Sequence, residues 1–177
     1  SASIIVAFLL NIPINRIKSA LINFQGVKRR FTFLGNIKKS KIYDDYAHHP
    51  TEIKASYEIA KHIADKRIIV IFQPHRFSRT HYLYNDFLTI LRKIDILFIC
   101  DIYPAGEKSI KNIHALKLVE DIKKNSSHEV YYLEKLKQLD QVLSPFYDEK
   151  NLIIFMGAGS ISGMANKLME KNGIYKA

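Results

Sequence analysis

Four short apolar runs recur along the chain: RIIVIFQ at 67–73, DILFICD at 95–101, EVYYL at 129–133 and NLIIFMG at 151–157. They are rich in β-branched or aromatic residues, and most of them are continuous in apolar character, as strands covered on both faces are. Between them the period lengthens. PTEIKASYEIAKHI opens with Pro50, suited to a first helical turn, and sets Ile53, Tyr57, Ala60 and Ile63 on one face. Further helical patterns cover roughly 80–93, 113–124, 134–146 and 160–171. Strand and helix in alternation predict an α/β fold, a doubly wound, mostly parallel sheet with helices on both faces.

Ahead of this alternation, SASIIVAFLLNIPINRIKSALINFQGV predicts two short helices broken at Asn11-Ile12-Pro13. The second carries Ile14, Ile17, Leu21 and Phe24 at helical spacing and stops at Gly26. RRFTFLG and NIKKSKIYDD then read as strands, with a hairpin turning near Gly35-Asn36. The chain opens on Ser1 rather than Met, in what reads as mid-helix, so it is expected to be a piece of a longer polypeptide.

Composition narrows the class without choosing a function. With 177 residues and a hydrophobic fraction of 47%, the chain can fill a core. Its 27 Lys+Arg against 17 Asp+Glu give a net charge of +10, which suits an anionic partner: nucleic acid, nucleotide or membrane surface. The lysines are scattered with few aromatics between them, unlike a stacking groove for nucleic acid, and read as solvated faces. The single cysteine, Cys100, excludes an internal disulfide framework and points to a reducing, cytoplasmic compartment. At the end of an apolar strand it reads as core. Ile4–Leu10 is far short of the ~20 residues of a membrane span and has no basic flank of a signal peptide.

Candidate chemistry falls just after strands, where open α/β sheets bind ligands. DDYAHHP (44–50), QPHRFSRT (73–80), DIYPAGE (101–107) and GAGSISG (157–163) would share one rim. Asp44, Asp45, His48, His49, His75 and His81 could supply metal ligands. Adjacent histidines diverge, however, and no two stand at an i, i+4 spacing, so a metal is the lesser reading. The bland alternative is a turn, with Asp44 accepting backbone N–H groups and Pro50 launching a helix. Arg76 and Arg79 stand three apart at a helix start, where the dipole disfavours cations, so an anion such as a carboxylate or phosphate is expected between them. The plainer alternative is a pair of surface arginines. GAGSISG has G-x-G-x-x-x-G spacing rather than the dinucleotide fingerprint, so its glycines serve either a tight turn or a phosphate. No G-x-S-x-G elbow, Walker lysine loop or C-x-x-C pair is present.

Taken in order, GVKRRF (26–31), DDYAHHPTE (44–52), FQPHRFSRT (72–80), YPAGE (103–107) and GAGSI (157–161) resemble the C-terminal third of the Mur ligases, over essentially the whole chain. QPHRFSRT with DDYAHHPTE most resembles the members that join L-alanine to UDP-N-acetylmuramate; the tripeptide-recycling ligases are similar at DD-x-A-HHP but not at QPHRFSRT. The resemblance implies a Rossmann-like domain of a cytoplasmic, ATP- and magnesium-dependent, amide-forming ligase of peptidoglycan synthesis. ATP would phosphorylate the lactyl carboxylate of the sugar, and the amine of L-alanine would attack the acyl phosphate. Position by position, it implies Arg30 at the nucleotide phosphate, Asp45 at the ATP ribose, and His49, Arg76 and Arg79 at L-alanine, with Asp44 and His48 as scaffolding. It implies no catalytic residue and no metal ligand here. The phosphate-binding lysine and magnesium ligands would belong to a preceding central domain, and the uridine diphosphate sugar chiefly to an N-terminal one. Residues 1–27 are then expected to be the end of that central domain and 28–177 the C-terminal domain, weak in binding and unable to turn over alone. The rival expectation is a basic α/β module that binds nucleotides or nucleic acid without chemistry. Neither a nucleic-acid nor a membrane partner is expected under the ligase reading.

Overall fold

The computed structural model describes residues 2–24, 26–134, 138–172 and 174–175. Two helices, α1 (Ala2–Leu9) and α2 (Ile14–Asn23), precede a hairpin of β1 (Thr32–Ile37) and β2 (Ser40–Asp45). The alternating part then runs α3 (Pro50–Ile63), β3 (Ile68–Phe72), α4 (Phe77–Tyr82), α5 (Tyr84–Leu91), β4 (Ile96–Cys100), α6 (Ala115–Lys123) and β5 (Glu129–Leu133). It closes with α7 (Leu139–Leu143), β6 (Leu152–Met156), α8 (Ile161–Asn172) and the two-residue β7 (Ile174–Tyr175).

The strands lie in the order β5-β4-β3-β6-β2-β1-β7. Pairing is parallel from β5 through to β2, and β1 adds antiparallel to β2 and β7. Every residue of β3, β4 and β6 is buried, which is why those runs are apolar throughout rather than alternating. Their side chains still divide by the period of two. Ile68, Val70, Phe72, Leu97, Ile99, Ile154 and Met156 pack with α3, α5 and α6 on one face. Ile69, Ile71, Phe98, Cys100, Ile153 and Phe155 pack with α7 and α8 on the other. The fold is therefore the expected doubly wound α/β sheet.

Three local expectations are corrected. The hairpin turns at Lys38-Lys39, with Lys38 left-handed at φ 49°, because Gly35 and Asn36 are held in the ladder opposite Ile42 and Lys41. Gly35 serves instead a register shift after Phe33. The helical pattern over 80–93 begins earlier and breaks in two at Leu83, whose ψ of 21° ends α4 and starts α5. Over 134–146 the structure has α7 and then a 3-10 turn at Ser144–Phe146; residues 135–137 of that expectation lie outside the described residues. On α3, Ile53, Tyr57 and Ala60 are buried as expected, while Ile63 is 38% exposed.

α1 and α2 form where the pattern puts them, with Asn11-Ile12-Pro13 between them. Their apolar side chains are mostly uncovered: no residue of α1 is buried, only Ile17 of α2 is, and Phe8, Leu9, Leu21, Ile22 and Phe24 are all exposed. No helix among the described residues is long and apolar enough to cross a membrane.

Phe72, fully buried against Phe87, is expected to cost about 3–5 kcal/mol of unfolding free energy on replacement by Ala, read from denaturant midpoints at unchanged slope. Burial, helped by the Asp101 charge, pushes the Cys100 thiol up to about 12, so it should resist thiol reagents until the chain is unfolded.

Candidate active site

The backbone ladder continues past the strand ends and ties the four polar loops together. Gly157 N donates to Asp45 O at 3.0 Å, and Gln73 N donates to Met156 O at 3.0 Å. Tyr103 N donates to Pro74 O and Arg76 N to Tyr103 O, each at 2.8 Å. Packing at Gly157 and Gly159 leaves no room for a side chain. A Cβ on Gly159 would lie 2.5 Å from Gln73 Oε1 and 2.7 Å from the Tyr103 ring, and one on Gly157 would lie 2.9 Å from Gln73 O. The Gln73 amide, buried in this contact, accepts from Ile161 N and donates to Ser160 Oγ. It thereby occupies the N-terminus of α8. Of the two uses open to the GAGSISG glycines, this conformation realises the tight turn.

The DDYAHHP loop divides its side chains between several neighbours. Asp44 is buried; its Oδ2 accepts from Ser162 Oγ at 2.6 Å and lies 3.7 Å from Arg29 Nε. Burial pushes its carboxyl up, against the opposing pull of Ser162 and Arg29. Asp45 accepts from Ala47 N at 2.8 Å and from Ser56 Oγ at 2.6 Å, which leaves each oxygen a second lone pair. His49 is the N-cap of α3: its Nδ1 accepts from Thr51 N, while Glu52 accepts from the backbone of His49 in return. His49 lies outside the Ser, Thr, Asp and Asn set that announces such a box, so only its Glu52 half, ahead of an apolar stripe, was readable.

Across the rim, Arg76 adopts φ 73°, ψ 135°, a strained conformation for a residue with a side chain. Its Nη1 lies 3.8 Å from Glu107. Glu107 accepts from Ser78 N at 3.0 Å and Ser78 Oγ at 2.6 Å, and those two bonds, with Arg76 adding to them, hold its carboxyl below the usual range. An anion does face the start of α4, and it belongs to the chain itself. Arg79 donates from Nη1 to both His75 Nδ1 and His75 O at 3.2 Å. His75 stacks on Tyr103 with centroids 5.5 Å apart.

The structure brings some of the expected site residues together and separates one. Arg30 and Asp45 line a single cavity of about 270 Å³ with Phe31, Glu52, Ser56 and Ile59. Arg30 lies 3.4 Å from Glu52 and over the Tyr46 ring. Arg76 and Arg79 sit on the next strand end with His75. His49 makes no hydrogen bond, ion pair or ring contact to either arginine among the described residues; it lines a separate cavity of about 240 Å³ with Lys54, Asp86 and Thr89. Its neighbour His48 faces that way instead, 5.8 Å from the His75 ring. Residues that sequence reasoning passed over are Tyr46, Glu52, Gln73, Tyr103 and Glu107, all of which fix a functional candidate in place. No group of three or more His, Cys, Asp or Glu able to hold a metal ion occurs among the described residues.

The model of the Mur ligase glutamate ligase domain matches residues 29–159, most of the chain and all four rim loops except the last turn of GAGSISG. The chain belongs to the Mur ligase family. Related Mur ligases include the UDP-N-acetylmuramate–L-alanine ligase of Rickettsia felis, 44% identical over 171 residues that make up 94% of this chain and 36% of that protein. The ligase of the same name from Rickettsia canadensis is 45% identical over 97% of this chain and 37% of its own length. Among solved Mur ligases, the UDP-N-acetylmuramate-alanine ligase of Thermotoga maritima superposes with a TM-score of 0.74 at 29% identity, over 95% of this chain and 35% of that one. The murein peptide ligase of Psychrobacter arcticus shares the fold, with a TM-score of 0.66 at 22% identity over 90% of this chain and 33% of that one. The chain thus spans about a third of the length of the relatives it matches.

Gly159→Ala should force the Gln73 amide or the Tyr103 ring aside and destabilise the domain by about 1–3 kcal/mol, read from its denaturation midpoint. Gly163→Ala, where an added Cβ meets nothing within 4 Å, should be close to neutral or mildly stabilising.

Proposed function

We propose that the chain is the C-terminal domain of a UDP-N-acetylmuramate:L-alanine ligase. In this reading, ATP phosphorylates the lactyl carboxylate of UDP-N-acetylmuramate, and the amine of L-alanine attacks the acyl phosphate to form an amide in cytoplasmic peptidoglycan synthesis. The observation that carries it is the division of one rim into two ends. Arg30 and Asp45 share a cavity at one end, while Arg76 and Arg79 stand at the other, beside His75. The names of the Rickettsia and Thermotoga relatives support L-alanine as the amino acid.

At the nucleotide end, the cavity of about 270 Å³ falls just below the ~300 Å³ at which small-ligand pockets begin, room for part of a nucleotide. The spare lone pairs of Asp45 would accept from the ribose hydroxyls. Arg30 would turn from Glu52, a half-exposed contact at 3.4 Å, toward a phosphate. At the other end, the guanidinium groups of Arg76 and Arg79 would take the alanine carboxylate and orient its amine. Arg79 is already held by two contacts to His75, so it loses little rotamer freedom on binding. Magnesium finds no ligand set of three or more His, Cys, Asp or Glu among the described residues. The uncovered apolar side chains of α1 and α2 fit residues 1–27 being the end of the central domain, packed in the intact enzyme against the rest of it.

A basic module without chemistry is the weaker reading. Much of the positive charge is paired within the chain, Lys38 with Asp148, Lys41 with Asp65, Lys117 and Lys124 with Asp121, and Lys171 with Asp140. Pairing leaves the excess of +10 unchanged, but the lysines concerned are spread over the β1–β2 turn, β2, α6 and its C-cap, and α8 rather than gathered in one basic groove.

In the intact ligase, Arg76→Ala should raise KM for L-alanine by roughly 10- to 100-fold, the worth of a charge-assisted contact, while KM for ATP stays within about threefold. Equal loss toward both substrates would favour a general anion surface. The chain by itself should give no ATP-dependent ligation; turnover by it would contradict the proposed division of labour between domains.

A further inference from the structure

Tyr46, His48, His75 and Tyr103 form a file of rings across the strand ends, with successive centroids 5.0, 5.8 and 5.5 Å apart. Fixed partners decide which nitrogen of each imidazole carries the hydrogen. His48 Nδ1 lies 2.8 Å from Tyr46 O, and a carbonyl can only accept, so Nδ1 donates and the lone pair of the neutral ring sits on Nε2. His75 Nδ1 lies 3.2 Å from Arg79 Nη1, and a guanidinium can only donate, so in His75 the lone pair is on Nδ1 and already engaged. Burial, then the charges of Arg79, His48 and Arg76, hold the His75 pKa below its usual value, so that ring stays a neutral Nε2–H donor. Of the two imidazoles beside the arginines, only His48 keeps an unengaged lone pair: its Nε2 makes no hydrogen bond among the described residues. Behind it, Glu52 Oε2 lies 3.5 Å from Nδ1 and accepts from the His48 backbone at 3.0 Å, a carboxylate facing the side of the ring away from Nε2.

We propose that His48 is a catalytic residue, the base that takes the proton of the incoming amine, with Glu52 as its positioning residue. This rests on the ligase reading and adds a chemical role to a domain whose family resemblance implied binding residues alone. L-alanine arrives as an ammonium with its carboxylate on Arg76 and Arg79, and His48 Nε2 takes one ammonium proton and passes it to solvent, which frees the nitrogen lone pair. The nitrogen lone pair then forms the C–N bond to the carbonyl carbon of the acyl phosphate. The C–O bond to phosphate breaks, and its electron pair leaves with the phosphate. The second N–H proton leaves with the phosphate, whose released oxygen is basic enough to hold it. Nδ1–H stays on Tyr46 O throughout, which keeps the ring in the orientation the transfer needs.

The test compares two nucleophiles in the intact ligase carrying this sequence. L-Alanine needs a proton acceptor, whereas hydroxylamine, a far weaker base, is neutral at assay pH and traps the acyl phosphate directly as a hydroxamate. His48→Gln retains an N–H for Tyr46 O but has no basic nitrogen. The expected result is a fall of about 100-fold or more in the ratio of alanine ligation to hydroxamate formation, with hydroxamate still produced as the sign that the variant is folded and the acyl phosphate made. Glu52→Gln should move the same ratio in the same direction. A ratio within about threefold of the unmodified enzyme, whether both rates fall together or neither does, would overturn the role of His48. Absence of hydroxamate from the unmodified ligase would instead overturn the ligase reading itself, and the proposal with it.

Discussion

The seating of the Gly157–Ser160 turn on Gln73 is the contact on which the rim depends. Gln73 follows β3, the turn follows β6, and the Tyr103 ring after β4 closes on Gly159 from the other side. Three loops are thus in van der Waals contact at one glycine, and the DDYAHHP loop joins through the hydrogen bond from Gly157 N to Asp45 O. A site assembled from the ends of neighbouring parallel strands inherits the rigidity of the sheet, since every residue of β3, β4 and β6 is buried. Arg76 pays for this compactness with a backbone conformation that side-chain-bearing residues rarely adopt.

Internal carboxylates keep the cations of the rim in position. Glu52 faces Arg30 and the His48 ring, and Glu107 faces Arg76 while it is anchored by both donors of Ser78. Burial works to raise the pKa of Glu52, but the backbone and ring of His48, the N–H of His49 and Arg30 outweigh it and hold the carboxyl below its usual range. These contacts orient the arginines without neutralising them fully, because each involves long separations or partial exposure. An incoming phosphate or carboxylate then exchanges one anionic partner for another, and most of the side-chain ordering is already done. Glu52 touches Arg30 and His48, and so links the residue expected at the nucleotide to the imidazole expected at the amine.

How much of this was legible in the sequence depends on the range of the interaction. Strands of five apolar residues were clear because burial on both faces removes polar positions, and α3 was clear because Pro50 opens it and its stripe has a helical period. The hairpin was displaced by three residues because Gly35 suggested a turn, whereas the left-handed position fell to Lys38. Arg30 and Asp45 could be named, and they meet in one cavity. The choice between His48 and His49 could not be read, since adjacent residues at a helix start point apart, and only the capping bond to Thr51 decides which one turns away from the arginines. Glu107 was invisible for a different reason: it lies 29 residues beyond Ser78, and nothing local announces the contact.

The proposed function sends the nucleotide to Arg30 and Asp45 and the amino acid to Arg76 and Arg79 on one rim. A crystal structure of the intact ligase with L-alanine and a non-hydrolysable ATP analogue tests it most directly. The alanine carboxylate is expected against the two arginines, its amine toward His48 Nε2, and the nucleotide between Arg30 and Asp45. L-Alanine found instead in the cavity of His49, Lys54 and Asp86 would contradict it.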